Sequence, residues 1–195
     1  MLSSTFFCFL DGIFDKTWQG TYGEQACYSH NKKSHGLQWL GARTPDGLCV
    51  LFFGPIEGRH HDAYLTTACN LVDQTRIISL ALALVIASFG DSAFYGFMHE
   101  VQHAFKEVPQ TTAEQHQLTK DMKPGRICIE WLYGERDCTW KILRNTDAMK
   151  VFLSPVKATT VTCGLLTNCM TCLRGSNTSS YFDCAPPELE DYLLL

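Results

Sequence analysis

The chain has 195 residues, 46% hydrophobic and 18% charged, which is enough apolar material for a packed core and excludes a disordered or low-complexity chain. Lys and Arg number 16 against 20 Asp and Glu, a formal charge of −4. That balance excludes nucleic-acid binding by phosphate neutralisation alone, but not an enzyme that works through local basic patches and metal ions.

Ten cysteines are spaced irregularly in a chain too long and too apolar to need staples. They read as reduced thiols in an intracellular compartment. The apolar start lacks a basic region and is cut short by Asp11, so no signal peptide is expected. The longest apolar stretch, residues 77–89, is well short of the roughly 20 residues of a membrane span, so no membrane partner is expected.

In chain order, residues 6–10 are a dense apolar run and predict a buried strand that delivers Asp11 at its C-terminal end. Residues 12–34 are polar and featureless. Residues 37–42 and 48–53 predict two strands of a hairpin around the turn Thr44-Pro45-Asp46-Gly47. Gly54-Pro55 ends the second of them. Asp62 is placed as the N-cap of a helix running through Leu71. Residues 85–89 predict a fourth strand, closed by Gly90-Asp91.

Apolar residues at 98, 101, 105 and 108 have helical spacing. Residues 110–123 are polar, and Gly125 precedes an amphipathic run, 127–132, that contains Glu130. Residues 149–173 predict a long helix with one apolar face. No repeat or linker divides the chain, so residues 1–195 are expected to form one α/β domain, with 149–195 as a C-terminal helix and tail packed on it.

Two neighbouring strands ending at one sheet edge would bring Asp11 and Asp91 together, and a helix across that edge could add Glu130. Three such carboxylates repel one another, and hard divalent cations relieve the repulsion. Two ions about 4 Å apart would clamp the attacking and leaving oxygens of a phosphodiester. Spacing alone does not select this triple, because 20 acidic residues offer many. The same residues also read as turn and cap positions with a solvated helix glutamate.

The local sequences are more specific. They run Leu10-Asp11-Gly12, Thr44-Pro45-Asp46-Gly47-Leu48, Gly54-Pro55-Ile56-Glu57-Gly58-Arg59-His60-His61-Asp62, Gly90-Asp91-Ser92-Ala93-Phe94 and Arg126-Ile127-Cys128-Ile129-Glu130-Trp131-Leu132-Tyr133-Gly134, with Leu165–Leu173 and Pro186–Leu193 following. This ordered series, spanning roughly residues 6–193, resembles the DDE-superfamily endonuclease domain of Harbinger/PIF-type transposases.

The resemblance implies an RNase H-like fold, a mixed central sheet flanked by helices. It implies Asp11, Asp91 and Glu130 as catalytic residues and ligands of two divalent cations, Mg²⁺ or Mn²⁺. The implied activity is metal-dependent DNA cleavage and strand transfer in the nucleus. Asp62 matches a recurrent Asp beside the site, read as a helix cap. Arg59 lies near a phosphate path. Arg126, one turn before Glu130, shares its helix face and is placed for a DNA phosphate or for Glu130 itself.

Three positions depart from the family pattern. Ile13 follows Asp11-Gly12 where Thr is usual, and Ser92 and Phe94 replace a Pro and a Tyr. Family members also carry a helix-turn-helix region before the first Asp, whereas ten residues precede Asp11 here. The expectation is a shortened copy that relies on a separate DNA-binding accessory protein, with a catalytically idle binding module as the alternative.

Two other patterns compete. His99-Glu100-Val101-Gln102-His103 matches the HExxH helix of zinc peptidases, with Glu100 as base. Cys169 and Cys172, with Cys163 and Cys184, have half the pairing of a four-cysteine zinc site and otherwise read as buried thiols.

Overall fold

A computed structural model describes residues 5–19, 24–84, 86–91, 94, 101–103 and 112–194. The elements follow as β1 (Thr5–Lys16), α1 (Glu24–Cys27), β2 (Tyr28–Ser29), β3 (Ser34–Arg43) and β4 (Cys49–Glu57), then α2 (Asp62–Ala68), α3 (Leu71–Leu82), β5 (Ile86–Gly90) and β6 (Val101–His103). After these come α4 (Ala113–Thr139), a 3₁₀ turn (Lys141–Arg144), α5 (Val156–Arg174), α6 (Asn177–Phe182) and α7 (Leu189–Leu194). The sheet runs β4-β3-β1-β5-β6, with β2 paired to the start of β3. Strand β3 is antiparallel to β1 and β4, whereas β5 is parallel to β1 and to β6. Helices flank this mixed sheet in an RNase H-like arrangement.

Strand β1 is central, and its alternation divides the core. Cys8 and Leu10 join Leu40, Leu65, Leu71 and Phe94, the cluster under α2 and α3. Phe9 joins Phe89, Cys128, Ile129, Leu132 and Tyr133, the cluster under α4. A Cβ at Gly125 would collide with the Phe9 ring, so the glycine is what lets α4 lie close to β1 at that point.

Polar anchors fix α4 as firmly as apolar contact does. Arg136 and Asp15 form an ion pair at 2.6 Å with both side chains buried. Arg43 is fully buried and reaches from β3 to α4, donating to the Cys128 carbonyl at 3.1 Å and to Glu135 at 2.8 Å. On β4, the Asn168 side chain accepts from the Cys49 N–H and donates to the Cys49 carbonyl, each at 2.8 Å. The hairpin predicted around Thr44–Gly47 is β3–β4, and Thr44 closes its turn onto Leu48.

Several boundaries differ from the sequence-based expectation. Strand β1 does not end at Asp11 but continues to Lys16, because Ile13 and Phe14 keep pairing with Trp39 and Gln38. Strand β4 runs through Gly54-Pro55 to Glu57, because the ladder shifts register between the Leu40–Phe53 and Gln38–Ile56 pairs and the proline falls at that irregularity. His61 occupies the N-cap position and Asp62 is the first helical residue, with no side-chain cap bond.

Val101–His103 is a strand, so the helix expected over 97–108 is absent there, and residues 97–100 and 104–108 lie outside those described. Helix α4 covers most of the polar stretch 110–123. The C-terminal helix starts at Val156 instead of 149, after Pro155, and two short helices follow it.

Arg136→Ala leaves Asp15 charged and unpaired in the interior and is expected to cost about 3–5 kcal/mol. The double substitution Asp15→Leu with Arg136→Met is expected to recover most of that loss. Urea unfolding of both variants checks the pair.

Candidate active site

Phe9 of β1 pairs with Phe89 of the parallel neighbour β5, so Asp11 and Asp91 each stand two residues further along and arrive at the same level. Asp11 shares the strand parity of Phe9 and Ile13, the parity that packs toward α4. Asp62 arrives from the other face. A Cβ at Gly12 would run into the Asp62 carboxylate, so only glycine lets the first turn of α2 touch β1 beside Asp11. The Gln38 side-chain amide donates to Asp62 at 2.7 Å and holds it there.

Asp11, Asp62 and Asp91 thus line one cleft of about 550 Å³, with Gln38 in its wall. Its other walls carry His30, Lys32, Arg59, His60 and His61, from the β2–β3 and β4–α2 turns. A larger cavity of about 910 Å³ is lined mainly by apolar residues such as Leu37, Ile56 and Val161, with Glu57 and Lys157 as its charged groups, and no carboxylates converge there.

Burial pushes the Asp11 carboxyl up to about 6, and the negative charges of Asp62 and Asp91 add to the rise. The Gly12 N–H, donating to Asp11 at 2.9 Å, and the charge of Arg126 act in the opposite direction. Asp62 is also raised, first by burial and then by Asp91, against the Gln38 bond and the charges of Lys32 and His61. From α4, the buried Tyr133 hydroxyl donates to the Asp11 carbonyl at 2.6 Å and covers Gly41, the residue opposite Asp11. Burial pushes the Tyr133 phenol well above its ordinary range, so it stays a donor.

Of the residues selected from sequence, Asp11, Asp91, Asp62 and Arg59 share the cleft, and Arg126 acts on Asp11 through its charge. Glu130 is exposed on α4 and is not in the cleft lining; it lies between Arg126 and Tyr133, both of which act on Asp11. Among the described residues, no three His, Cys, Asp or Glu side chains are grouped closely enough to form a metal site by themselves. Mg²⁺ does not require three, since it is commonly held by one or two carboxylates, with water and substrate phosphate completing the shell. The Asp11–Asp91 pair fits that donor chemistry.

The zinc-peptidase pattern requires a helix, which its second histidine does not have. His103 lies on β6 and not on a helix, and His99 and Glu100 fall outside the described residues. No disulfide joins any of the ten cysteines, and Cys163 packs in a core cluster with Leu37, Leu143, Met149 and Val156. Sequence reasoning assigned no site role to Gly12, Gln38 or Tyr133, whereas Lys32 stood out as a basic contact on the hairpin side. Gln38 left a signal, as the one polar side chain inside the apolar run 37–42.

The raised Asp11 carboxyl has a signed consequence. In metal-free protein, the folded state holds the Asp11 proton up to about pH 6, whereas the unfolded chain releases it near 3.8. Stability contributed by this group is therefore present below about pH 4 and lost as pH rises through 6. Asp11→Asn is expected to stabilise the chelator-treated protein at pH 7.5 by roughly 1–3 kcal/mol and to change little at pH 4. Thermal melts at the two pH values measure the difference.

A family model described as DDE superfamily endonuclease matches residues 15–168. Asp62, Asp91, Arg126 and Glu130 fall inside the matched segment, and Asp11 lies just before it. No curated protein and no solved structure matches the chain. Because the match covers most of the sequence, and the sheet carries Asp11 and Asp91 on adjacent parallel strands, the chain belongs to the DDE superfamily endonucleases, the nuclease family of transposase type.

Proposed function

We propose that this chain is a Harbinger/PIF-type nuclease domain that cleaves phosphodiester bonds of DNA, and transfers strands, with divalent cations held by Asp11 and Asp91 and with Glu130 as the third acid. The observation that carries the reading is the register of β1 and β5, which delivers two carboxylates from distant parts of the chain to one cleft. Bound Mg²⁺ or Mn²⁺ would supply Lewis-acid stabilisation of the charge that builds on the scissile phosphate.

The protein's own part is positioning. Tyr133 holds the Asp11 backbone by its carbonyl, and the Gly12 N–H holds the Asp11 carboxylate itself. Gln38 holds Asp62 beside it, so the carboxylates keep their orientation despite repelling one another. Arg126 offsets part of that charge. The support for Glu130 is its place on the α4 surface between Arg126 and Tyr133. Its exposed position outside the cleft favours a second reading, a catalytically idle binding module. The family reading also extends to a nuclear location and a separate DNA-binding accessory protein.

Nicking of supercoiled plasmid separates the two readings. The nuclease is expected to relax plasmid with Mg²⁺ or Mn²⁺ and to stop on chelation. Asp11→Asn and Asp91→Asn are each expected to lower the rate on the order of 10²-fold or more. Glu130→Gln is expected to behave like them; unchanged nicking would remove Glu130 from the site. A folded protein that never nicks supports the idle module. Thermal stability supplies an activity-free measure: cation at about 100 times its Kd should add about 2.7 kcal/mol to the wild type. That gain should be lost in Asp91→Asn.

A further inference from the structure

We infer that the basic wall of the carboxylate cleft, together with the His60–Tyr64 ring stack at its edge, is a binding track for a single unpaired DNA strand. This rests on the nuclease reading and narrows its substrate to DNA whose bases are open at the point of cleavage. Lys32 and Arg59 line the cleft from the β2–β3 and β4–α2 turns, beside carboxylates that come from β1, the start of α2 and the end of β5. Both side chains are exposed, and among the described residues neither forms a salt bridge with a carboxylate. Exposed cations beside an acidic floor suit a phosphodiester backbone that needs counter-charge next to a metal-held phosphate.

The two turns are also held in place. The Arg59 N–H donates to the Ala26 carbonyl at 3.3 Å, and a Cβ at Gly58 would strike the Gly36 and Cys27 carbonyl oxygens. The β4–α2 turn is therefore wedged against the start of β3, and Arg59 is presented from a fixed base.

The choice of a single strand comes from the aromatic pair. The His60 imidazole is held by Glu57 at 3.2 Å and stacks on Tyr64 with ring centroids 4.0 Å apart and an interplanar angle of 15°. His60 lines the cleft, and Tyr64, the ring it stacks on, is 49% exposed. An aromatic surface of this kind offers stacking to a base, and a duplex keeps its base faces covered.

The test is equilibrium binding of a fluorescent 12-nucleotide DNA strand, its duplex and the matching RNA strand, in chelator so that cleavage plays no part. The single DNA strand is expected to bind more tightly than the duplex. Tyr64→Ala should weaken single-strand binding roughly 5- to 100-fold and leave duplex binding unchanged. Tyr64→Leu keeps apolar bulk without the ring and should behave the same, while Tyr64→Phe should bind like the wild type. Lys32→Ala with Arg59→Ala should reduce the slope of log K against log salt by about 1.4.

Equal binding of strand and duplex, no effect of Tyr64→Ala and Tyr64→Leu in folded proteins, or an unchanged salt slope would each overturn the inference, as would preference for RNA. The two readings fail separately. Binding as described without plasmid nicking sinks the nuclease and keeps the track; nicking without these binding effects does the reverse.

Discussion

The docking of α4 on the central sheet is the constraint on which the rest of the molecule depends. The helix is long and mostly polar, so its position is not set by a broad apolar stripe alone. Two buried arginines set it, Arg43 reaching up from β3 and Arg136 reaching down to Asp15. Geometry is demanding at such contacts, because a buried guanidinium must keep its partners to offset its desolvation. Sliding α4 by a single residue would break the Arg136–Asp15 pair, the Arg43 bonds and the Tyr133 bond to Asp11 together. The helix is thus locked in register on the strand that carries the cleft's central carboxylate.

The cleft is built against its own stability. Three carboxylates share a partly buried space, and the surroundings raise Asp11 and Asp62 instead of relaxing them. Elsewhere the chain pairs its interior charges, as at Asp15. The contrast is physical: Asp15 is given a fixed cation, whereas Asp11 and Asp62 sit in a polar opening beside one another and Asp91. Gly12 shows how this is done sterically. Removing one side chain from β1 lets acids from both faces of the sheet approach one another.

Much of this was readable before any coordinates. The apolar runs before Asp11 and before Gly90-Asp91 are strands, and parallel pairing aligns the two acids. The hairpin followed from its turn chemistry. What was not readable depended on contacts distant in sequence. Residues 113–123 are helical although polar, because the helix they begin is anchored further on by Arg43, Arg136 and Tyr133. Val101–His103 has a helical apolar spacing nearby but pairs with Ser88–Gly90, and sheet pairing overrides the pattern. Asp62 has a cap's sequence position, yet Gln38 claims its carboxylate from across the sheet, a partner 24 residues away. Glu130 was legible as a helix residue; its relation to the cleft depends on how the helix is turned about its axis, which local sequence does not encode.

The Asn168 contact with Cys49 has a further meaning. Strand β4 ends the sheet, and an unpaired strand edge is a template for another chain to add to. At Cys49 the Asn168 side-chain amide imitates a neighbouring strand, taking the N–H and the carbonyl together. Six residues along, Pro55 has no N–H to offer. The border of the sheet is therefore blunted at two points by different chemistry, one of them a side chain lent by α5.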